Sequence, residues 1–198
     1  ASMNNAIILP GKPKKERYLD PTQPKPHEAN WLPWLAGQLE RRGVPTVVVA
    51  MPRPYEPIYE DWCRTFEALA VGVGTIIIGH SAGAGFIIRW LSEHPEISIA
   101  QLILIAPWHD SHHEYGKEFF DYVIDAGLAQ RVSRITIVNS IDDGQSIQDS
   151  VVLLRQEIPG INYVELQGYG HFMLGNAMST TMFPRILEEI ATQIPTWQ

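Results

Sequence analysis

The fold is decided by residues 75–91, which read TIIIGHSAGAGFIIRWL. Residues 75–78 form a β-branched run that is typical of a strand buried on both faces. The apolar residues from Ala84 to Leu91 predict a helix soon afterwards. Between them, Gly79-His80-Ser81-Ala82-Gly83 matches the Gly-x-Ser-x-Gly nucleophile elbow, a sharp strand-to-helix turn that exposes a serine.

The elbow pattern has a steric and an electrostatic reason. Glycines two positions either side of Ser81 allow the strand and the helix to approach each other closely. The N–H of Ala82 would point at the oxyanion that forms when a serine attacks a carbonyl. The alternative is a glycine-rich turn that binds a phosphate at the helix N-terminus. The apolar strand and helix on either side favour the elbow.

An elbow serine needs an acid and then a histidine later in the chain. Asp142 and Asp143 follow the fifth predicted strand, and His171 follows the sixth, in the sequence GYGHF. We expect His171 to take the proton of Ser81, while one of the two aspartates orients the imidazole. The other aspartate would cap the following helix, and the residues themselves leave the choice between them open.

Strand-like runs alternate with helical patterns along the chain. The predicted strands are 6–9, 46–49, 75–78, 97–105, 135–138 and 162–166. Helical stripes run from Trp31 to Leu39 and from Phe183 to Ile194, and Ser146 with Asp149 resembles a capping box. This alternation predicts an α/β fold, a three-layer sandwich with helices on both faces of a mainly parallel sheet. We expect one domain over residues 3–198.

Two segments are predicted to shape the cleft. Residues 108–131 interrupt the alternation and are expected to form a small insertion or cap with a helical stretch around 118–130. The proline- and lysine-rich residues 11–26 are expected to form a long loop without helix. His80 and Trp108 are candidate substrate-pocket residues. The lysines of residues 11–26 oppose the overall charge and would favour a carboxylate-bearing substrate if they reach the cleft.

The composition excludes several function classes. The 198 residues carry a net charge of −7, which disfavours a nucleic-acid or anionic-membrane surface. No apolar run is long enough to span a membrane. The lone Cys63 excludes an intrachain disulfide and fits a reducing, cytoplasmic compartment. Residues 109–113 contain three histidines and Asp110, but their spacing is not that of a helical metal pair, and no metal is expected.

The chain resembles the small single-domain α/β-hydrolases of the retinoblastoma-binding-protein type, and the resemblance runs nearly end to end. The residues that carry it are Pro10-Gly11, Trp31-x-x-Trp34, Met51-Pro52-x-Pro54, Gly79-His80-Ser81-x-Gly83-Ala84, Asp142-Asp143 and Gly170-His171-Phe172. It implies an α/β-hydrolase fold with six strands in the order 2-1-3-4-5-6. It also implies ester or amide hydrolysis without a cofactor, with Asp143 as the aspartate of the triad.

The chain departs from that family after Pro10, where Lys12-Pro13-Lys14-Lys15 follows Gly11 in place of a glycine-rich loop. We therefore expect the N–H of Lys12 as the second oxyanion donor. The expected function is a serine hydrolase that cleaves a small carboxylic ester or amide. The alternatives are a non-catalytic protein-binding module on the same scaffold, and a peptidase or thioesterase.

Overall fold

A computed structural model describes residues 4–191 of the chain. Its centre is a parallel six-stranded sheet in the order β2-β1-β3-β4-β5-β6. The strands are β1 (Asn5–Leu9), β2 (Thr46–Val48), β3 (Thr75–His80), β4 (Ile99–Ile105), β5 (Val132–Ser140) and β6 (Asn162–Leu166). The predicted strand order is confirmed, and the sheet is parallel throughout.

Eight α-helices lie among the described residues. They are α1 (Lys15–Leu19), α2 (Leu32–Arg41), α3 (Tyr59–Phe66), α4 (Ala82–Glu93), α5 (Lys117–Phe120), α6 (Leu128–Arg131), α7 (Gln145–Glu157) and α8 (Pro184–Ala191). A short 3₁₀ helix covers Pro26–Glu28. Ile194, the last residue of the predicted final stripe, lies outside the described residues.

The helices cover both faces of the sheet, because the strand order reverses at β1 and the crossovers are right-handed. On one face, Trp62 of α3 meets Phe86 of α4, with ring centroids 5.6 Å apart. On the other face, Trp31 next to α2 meets Phe183 next to α8 at the same separation of 5.6 Å. The central strand β3 is buried at all six positions, as its continuous apolar run predicts.

Three local predictions are wrong. Residues 117–131 hold the two short helices α5 and α6 instead of one long helix. The segment between Pro13 and Pro21 forms α1, because its residues are free of proline and can close one helical turn. The helix α7 begins at Gln145 after Gly144, and no side chain caps it, so Ser146 lies inside the helix.

The topology brings the predicted site residues to one edge of the sheet. In a parallel sheet all the strand carboxyl ends lie at the same edge, where ligands bind in open α/β folds. Ser81 follows β3, Asp142 and Asp143 follow β5, and His171 comes five residues after β6.

The packing on the α3–α4 face can be tested with Phe66, which is fully buried against Phe86 and Trp90. We expect Phe66→Ala to lower the free energy of unfolding by about 3–5 kcal/mol, because it removes buried surface and leaves a cavity. The control is Val123→Ala, since Val123 is 88% exposed. Urea unfolding followed by circular dichroism measures both. A loss below about 1 kcal/mol for Phe66→Ala would contradict the packing described here.

Candidate active site

Ser81 lies in the turn between β3 and α4 with a strained backbone. Its φ is 55° and its ψ is −114°, a region that residues other than glycine rarely occupy. Its N–H donates to the carbonyl of Ile105 at 2.9 Å. Its own carbonyl accepts the N–H groups of Ala84 and Trp108 at 3.1 and 3.2 Å. Hydrogen bonds therefore hold both the N–H and the carbonyl of Ser81.

The two glycines of the elbow are required by close backbone contacts. A Cβ added at Gly79 would lie 2.7 Å from the Cα of Ala84, and one added at Gly83 would lie 2.5 Å from the carbonyl oxygen of Leu9. Backbone atoms cannot move aside as a flexible side chain can, so larger residues do not fit at either position. This is the close approach of strand and helix that the motif predicts.

The hydroxyl of Ser81, the imidazole of His171 and the carboxylate of Asp143 form a hydrogen-bonded line. Nε2 of His171 lies 3.0 Å from Oγ of Ser81. Nδ1 of the same ring lies 2.8 Å from Oδ2 of Asp143. Because a carboxylate only accepts, Nδ1 carries the proton and Nε2 is free to accept the hydroxyl proton. The Asp143 side chain is 6% exposed, so most of its carboxylate is out of contact with water.

The neighbouring Asp142 contacts the backbone of the histidine loop and not the imidazole. Its Oδ1 accepts the hydroxyl of Ser140 and the N–H groups of Gly168 and Gly170, the last two at 3.0 and 3.4 Å. The N–H of Tyr169 donates to Ser140 Oγ at 3.1 Å. The Ser140 hydroxyl, followed by the loop amides, lowers the pKa of Asp142 below its ordinary value. Asp142 was expected to cap a helix, but it binds the N–H groups of Gly168 and Gly170 instead, while its partner Ser140 binds the N–H of Tyr169 between them.

Two further hydrogen bonds, made by Trp31 and Asn176, hold the loop around His171. The indole N–H of Trp31 donates to the carbonyl of Phe172 at 2.9 Å. The backbone N–H of His171 donates to Oδ1 of Asn176 at 2.7 Å. Neither Trp31 nor Asn176 was predicted to serve the site. The only sequence signal is a tryptophan on an apolar helix face, which is equally typical of a core residue.

His80 holds the same loop from the end of β3. Its Nε2 lies 2.9 Å from the carbonyl oxygen of His171. A carbonyl only accepts, so Nε2 carries a proton. Burial, followed by the nearby His171, lowers the pKa of His80 to about 3. His80 also lines the cavity beside Ser81, where a pocket residue was predicted.

The amide of Ala82 is available as an oxyanion donor. Ala82 is the first residue of α4, and within residues 4–191 no hydrogen bond to another backbone group uses its N–H. The N–H groups of Gly11 and Lys12 are likewise unused within these residues. A Cβ added at Gly11 would lie 3.1 Å from Cβ of Ser81 and 3.8 Å from the Ala82 nitrogen. The chain after β1 thus passes directly beside the serine.

A cavity of about 460 Å³ opens beside Ser81 and His171. Its walls come from residues 10–32, which include α1, and from residues 171–176. Trp108, the other predicted pocket residue, packs instead against Tyr115 and Phe120, with ring centroids 6.0 and 5.0 Å away. The cavity is therefore shaped by the proline- and lysine-rich segment, and none of its described lining residues comes from residues 108–131.

The remaining chemically notable residues have structural partners. The buried carboxylate of Asp110 accepts the backbone N–H groups of Glu114, Tyr115 and Gly116. His112 pairs with Asp149 of α7 at 2.5 Å. Across residues 4–191, no three His, Cys, Asp or Glu side chains converge as a metal ion would require. Burial raises the pKa of the Cys63 thiol to about 11, which leaves it a poor nucleophile.

A family model described as serine hydrolase matches residues 24–180 of the chain, a span that includes Ser81, Asp143 and His171. The chain belongs to the serine hydrolase family. The sheet order and the elbow agree with this assignment, as does the sequence resemblance to small α/β-hydrolases. None of the helices between residues 4 and 191 is long and apolar enough to cross a membrane.

Individual relatives support the same family and fold. The hydrolase YdeN of Bacillus subtilis (strain 168) is 28% identical over 155 residues, which cover 73% of this chain and 78% of YdeN. The YdeN crystal structure superposes with a TM-score of 0.77, covering 97% of this chain and 98% of that one. Est1E from Butyrivibrio proteoclasticus, solved with ferulic acid bound, is 12% identical and covers 96% and 90% of the two chains, with a TM-score of 0.65.

The neutral, buried His80 predicts an acid-sensitive stability that a glutamine would remove. The folded protein protonates His80 near pH 3, whereas the unfolded chain does so near pH 6.5. Wild-type stability therefore falls as the pH drops below 6.5, by about 2 kcal/mol from this group at pH 5. His80→Gln keeps an N–H donor for the His171 carbonyl and does not titrate.

Urea unfolding of both proteins at pH 7.5 and pH 5 measures this effect. All other titrating groups are shared, so the difference between the two pH dependences isolates residue 80. We expect the wild type to lose more stability than His80→Gln over this range. Parallel pH dependences would show that His80 is not buried in its neutral form.

Proposed function

We propose that this serine hydrolase cleaves small carboxylic esters through Ser81 as nucleophile, His171 as general base and then acid, and Asp143 as the orienting carboxylate. The observation that carries the proposal is the His171 ring, which lies 3.0 Å from Ser81 Oγ and 2.8 Å from Asp143 Oδ2. One imidazole between a hydroxyl and a buried carboxylate can accept a proton in one step and return it in the next.

The first half of the proposed reaction forms an acyl-enzyme. Ser81 Oγ attacks the ester carbonyl carbon while its proton moves to His171 Nε2, and the carbonyl oxygen becomes an oxyanion. Collapse of this tetrahedral species breaks the bond to the alcohol oxygen, which takes the proton from Nε2. In the second half, water attacks the acyl-enzyme, His171 accepts its proton, and the acid leaves as Ser81 regains its hydrogen.

The oxyanion would rest on the free N–H of Ala82 and on a second N–H from Gly11 or Lys12. A Cβ added at Gly11 would lie within 4 Å of Ser81 and of the Ala82 nitrogen, which supports a donor from this segment. Backbone donors are already fixed before the reaction, so they stabilise the developing charge without reorganisation. One such donor is worth about 3 kcal/mol of barrier.

The cavity supports a small substrate. Its volume of about 460 Å³ lies in the range of about 300–1,000 Å³ that is usual for small-molecule sites. The same fold occurs in a pyrethroid hydrolase from Sphingobium faniae, which is 14% identical to this chain.

We place the enzyme in the cytoplasm, because its lone thiol requires no oxidising compartment.

We expect Ser81→Ala to abolish both ester turnover and labelling by a fluorophosphonate. Removal of Oγ eliminates the acyl-enzyme, so kcat should fall by at least about 10³-fold. A p-nitrophenyl ester assay and gel fluorescence measure the two effects. The control, Ser179→Ala, removes an exposed hydroxyl and should retain both activities.

Folded wild-type protein that is never labelled by the fluorophosphonate would refute the enzymatic function and favour a binding function. A wider panel of thioesters and aminoacyl amides tests the thioesterase and peptidase alternatives.

The two aspartates should respond differently to substitution. Asp143→Asn favours the wrong imidazole tautomer and should lower kcat by up to about 10⁴-fold. Asp142→Asn keeps the one oxygen that accepts from Ser140, Gly168 and Gly170, so kcat should fall less than about tenfold. Asp142→Ala removes that acceptor, so its kcat should lie between those of the two asparagine variants. The same ester assay measures kcat, and the reverse ranking of the two asparagine variants would reject Asp143.

A further inference from the structure

The wall of the cavity contributed by residues 10–32 is cationic, although the whole chain carries a net charge of −7. Lys14 and Arg17 both line the cavity, three residues apart across the start of α1. Both residues therefore belong to the same wall of the cavity. The described lining residues include no aspartate or glutamate, so the wall carries positive charge only.

Among the described residues, the other cations of this segment have partners, whereas Lys14 and Arg17 do not. Lys12 also lines the cavity, but its ammonium lies 5.6 Å from the centroid of the Tyr115 ring. Lys15 pairs with Glu56 at 3.7 Å, and Lys25 donates to the Tyr18 carbonyl. No ion pair within residues 4–191 involves Lys14 or Arg17, and both side chains are exposed. The rest of the cavity wall is largely apolar, with Pro24, Leu32 and Met173 among its residues.

We propose that the cavity selects esters that carry an anionic group separated from the scissile carbonyl by an apolar spacer. This inference rests on the proposed esterase function, whose serine and histidine line the same cavity. The spacer would contact the apolar wall, while the anion would bind between the Lys14 ammonium and the Arg17 guanidinium. Guanidinium groups bind carboxylates in a two-point geometry, so Arg17 supplies direction as well as charge.

The effect should be moderate and sensitive to salt, because both cations are exposed to solvent. Exposed ion pairs contribute little individually, so two of them predict a preference of about five- to tenfold in kcat/KM. At 0.5 M NaCl the Debye length is only a few ångströms, and the preference should shrink towards unity.

The test compares charged esters with neutral analogues of nearly the same size. The first pair is mono-p-nitrophenyl adipate and p-nitrophenyl 5-carbamoylpentanoate, in which the acyl part carries the charge. The second pair is 4-acetoxyphenylacetate and its amide, in which the alcohol part carries it. We expect the charged compound of at least one pair to have the higher kcat/KM at low salt. Equal kcat/KM values within both pairs would overturn the proposal.

Substitutions then assign the preference to the two cations. Lys14→Gln/Arg17→Gln should move the charged-to-neutral ratio of kcat/KM most of the way to one, because Lys12 is then the only Lys or Arg left among the described lining residues. The matched control is Lys15→Gln, which removes a cation of the same helix that pairs with Glu56 and does not line the cavity. The control should keep the wild-type ratio. An unchanged ratio in the double variant would also overturn the proposal.

A binding measurement separates this inference from the esterase function. Ligand-observed NMR of Ser81→Ala with adipate and with neutral adipamide requires no turnover. Preferential binding of adipate that is lost in the Lys14→Gln/Arg17→Gln background supports the cationic site, even if no ester is cleaved. Equal binding of adipate and adipamide rejects the site, even if neutral esters are cleaved.

Discussion

The site depends on the backbone of Ser81, which is held at a positive φ of 55°. Such a conformation is unfavourable by about 1–3 kcal/mol and persists only where the surroundings enforce it. Here the carbonyl of Leu9 and the backbone of Ala84 lie so close to Gly83 and Gly79 that no side chain fits between them. The sharp turn directs Oγ out of the sheet and begins α4 with an amide that has no helical acceptor. The proposed nucleophile and one proposed oxyanion donor thus have the same cause.

The histidine lies on a loop, and its precision comes from polar contacts made by distant residues. Asp142 binds the backbone before His171, and Asn176 accepts the N–H of His171. His80 binds the carbonyl of His171, and Trp31 binds the carbonyl of Phe172. Consecutive aspartates therefore have separate contacts, since Asp142 binds the loop backbone and Asp143 binds the ring. In the proposed reaction, a base held this way would need little reorganisation when the proton moves.

The parts that sequence predicts well are those with local causes. The strand run and the two glycines of the elbow are visible in one short stretch. The strand order, which the structure confirms, was implied by the family resemblance and not by a local pattern. The contact from Trp31 to Phe172 joins residues 141 positions apart, and no local pattern contains it. The short helix α5 likewise has a tertiary contact, because Arg89 of α4 donates to the carbonyls of Glu118 and Phe119.

Net charge is a second property from which the site could not be predicted, because it does not give the charge beside the cleft. A charge of −7 suggests that an acidic protein repels acidic ligands, but the Debye length at physiological salt is about 8 Å, so distant carboxylates are largely screened. What a ligand meets at the cleft is the local wall, where Lys14 and Arg17 stand without a described carboxylate among the lining residues. Two short-range cations can therefore outweigh a larger negative charge spread over the remaining surface. The segment after β1 contributes both the backbone beside Ser81 and these cations, so the proposed charge selection and the proposed nucleophile depend on the same segment.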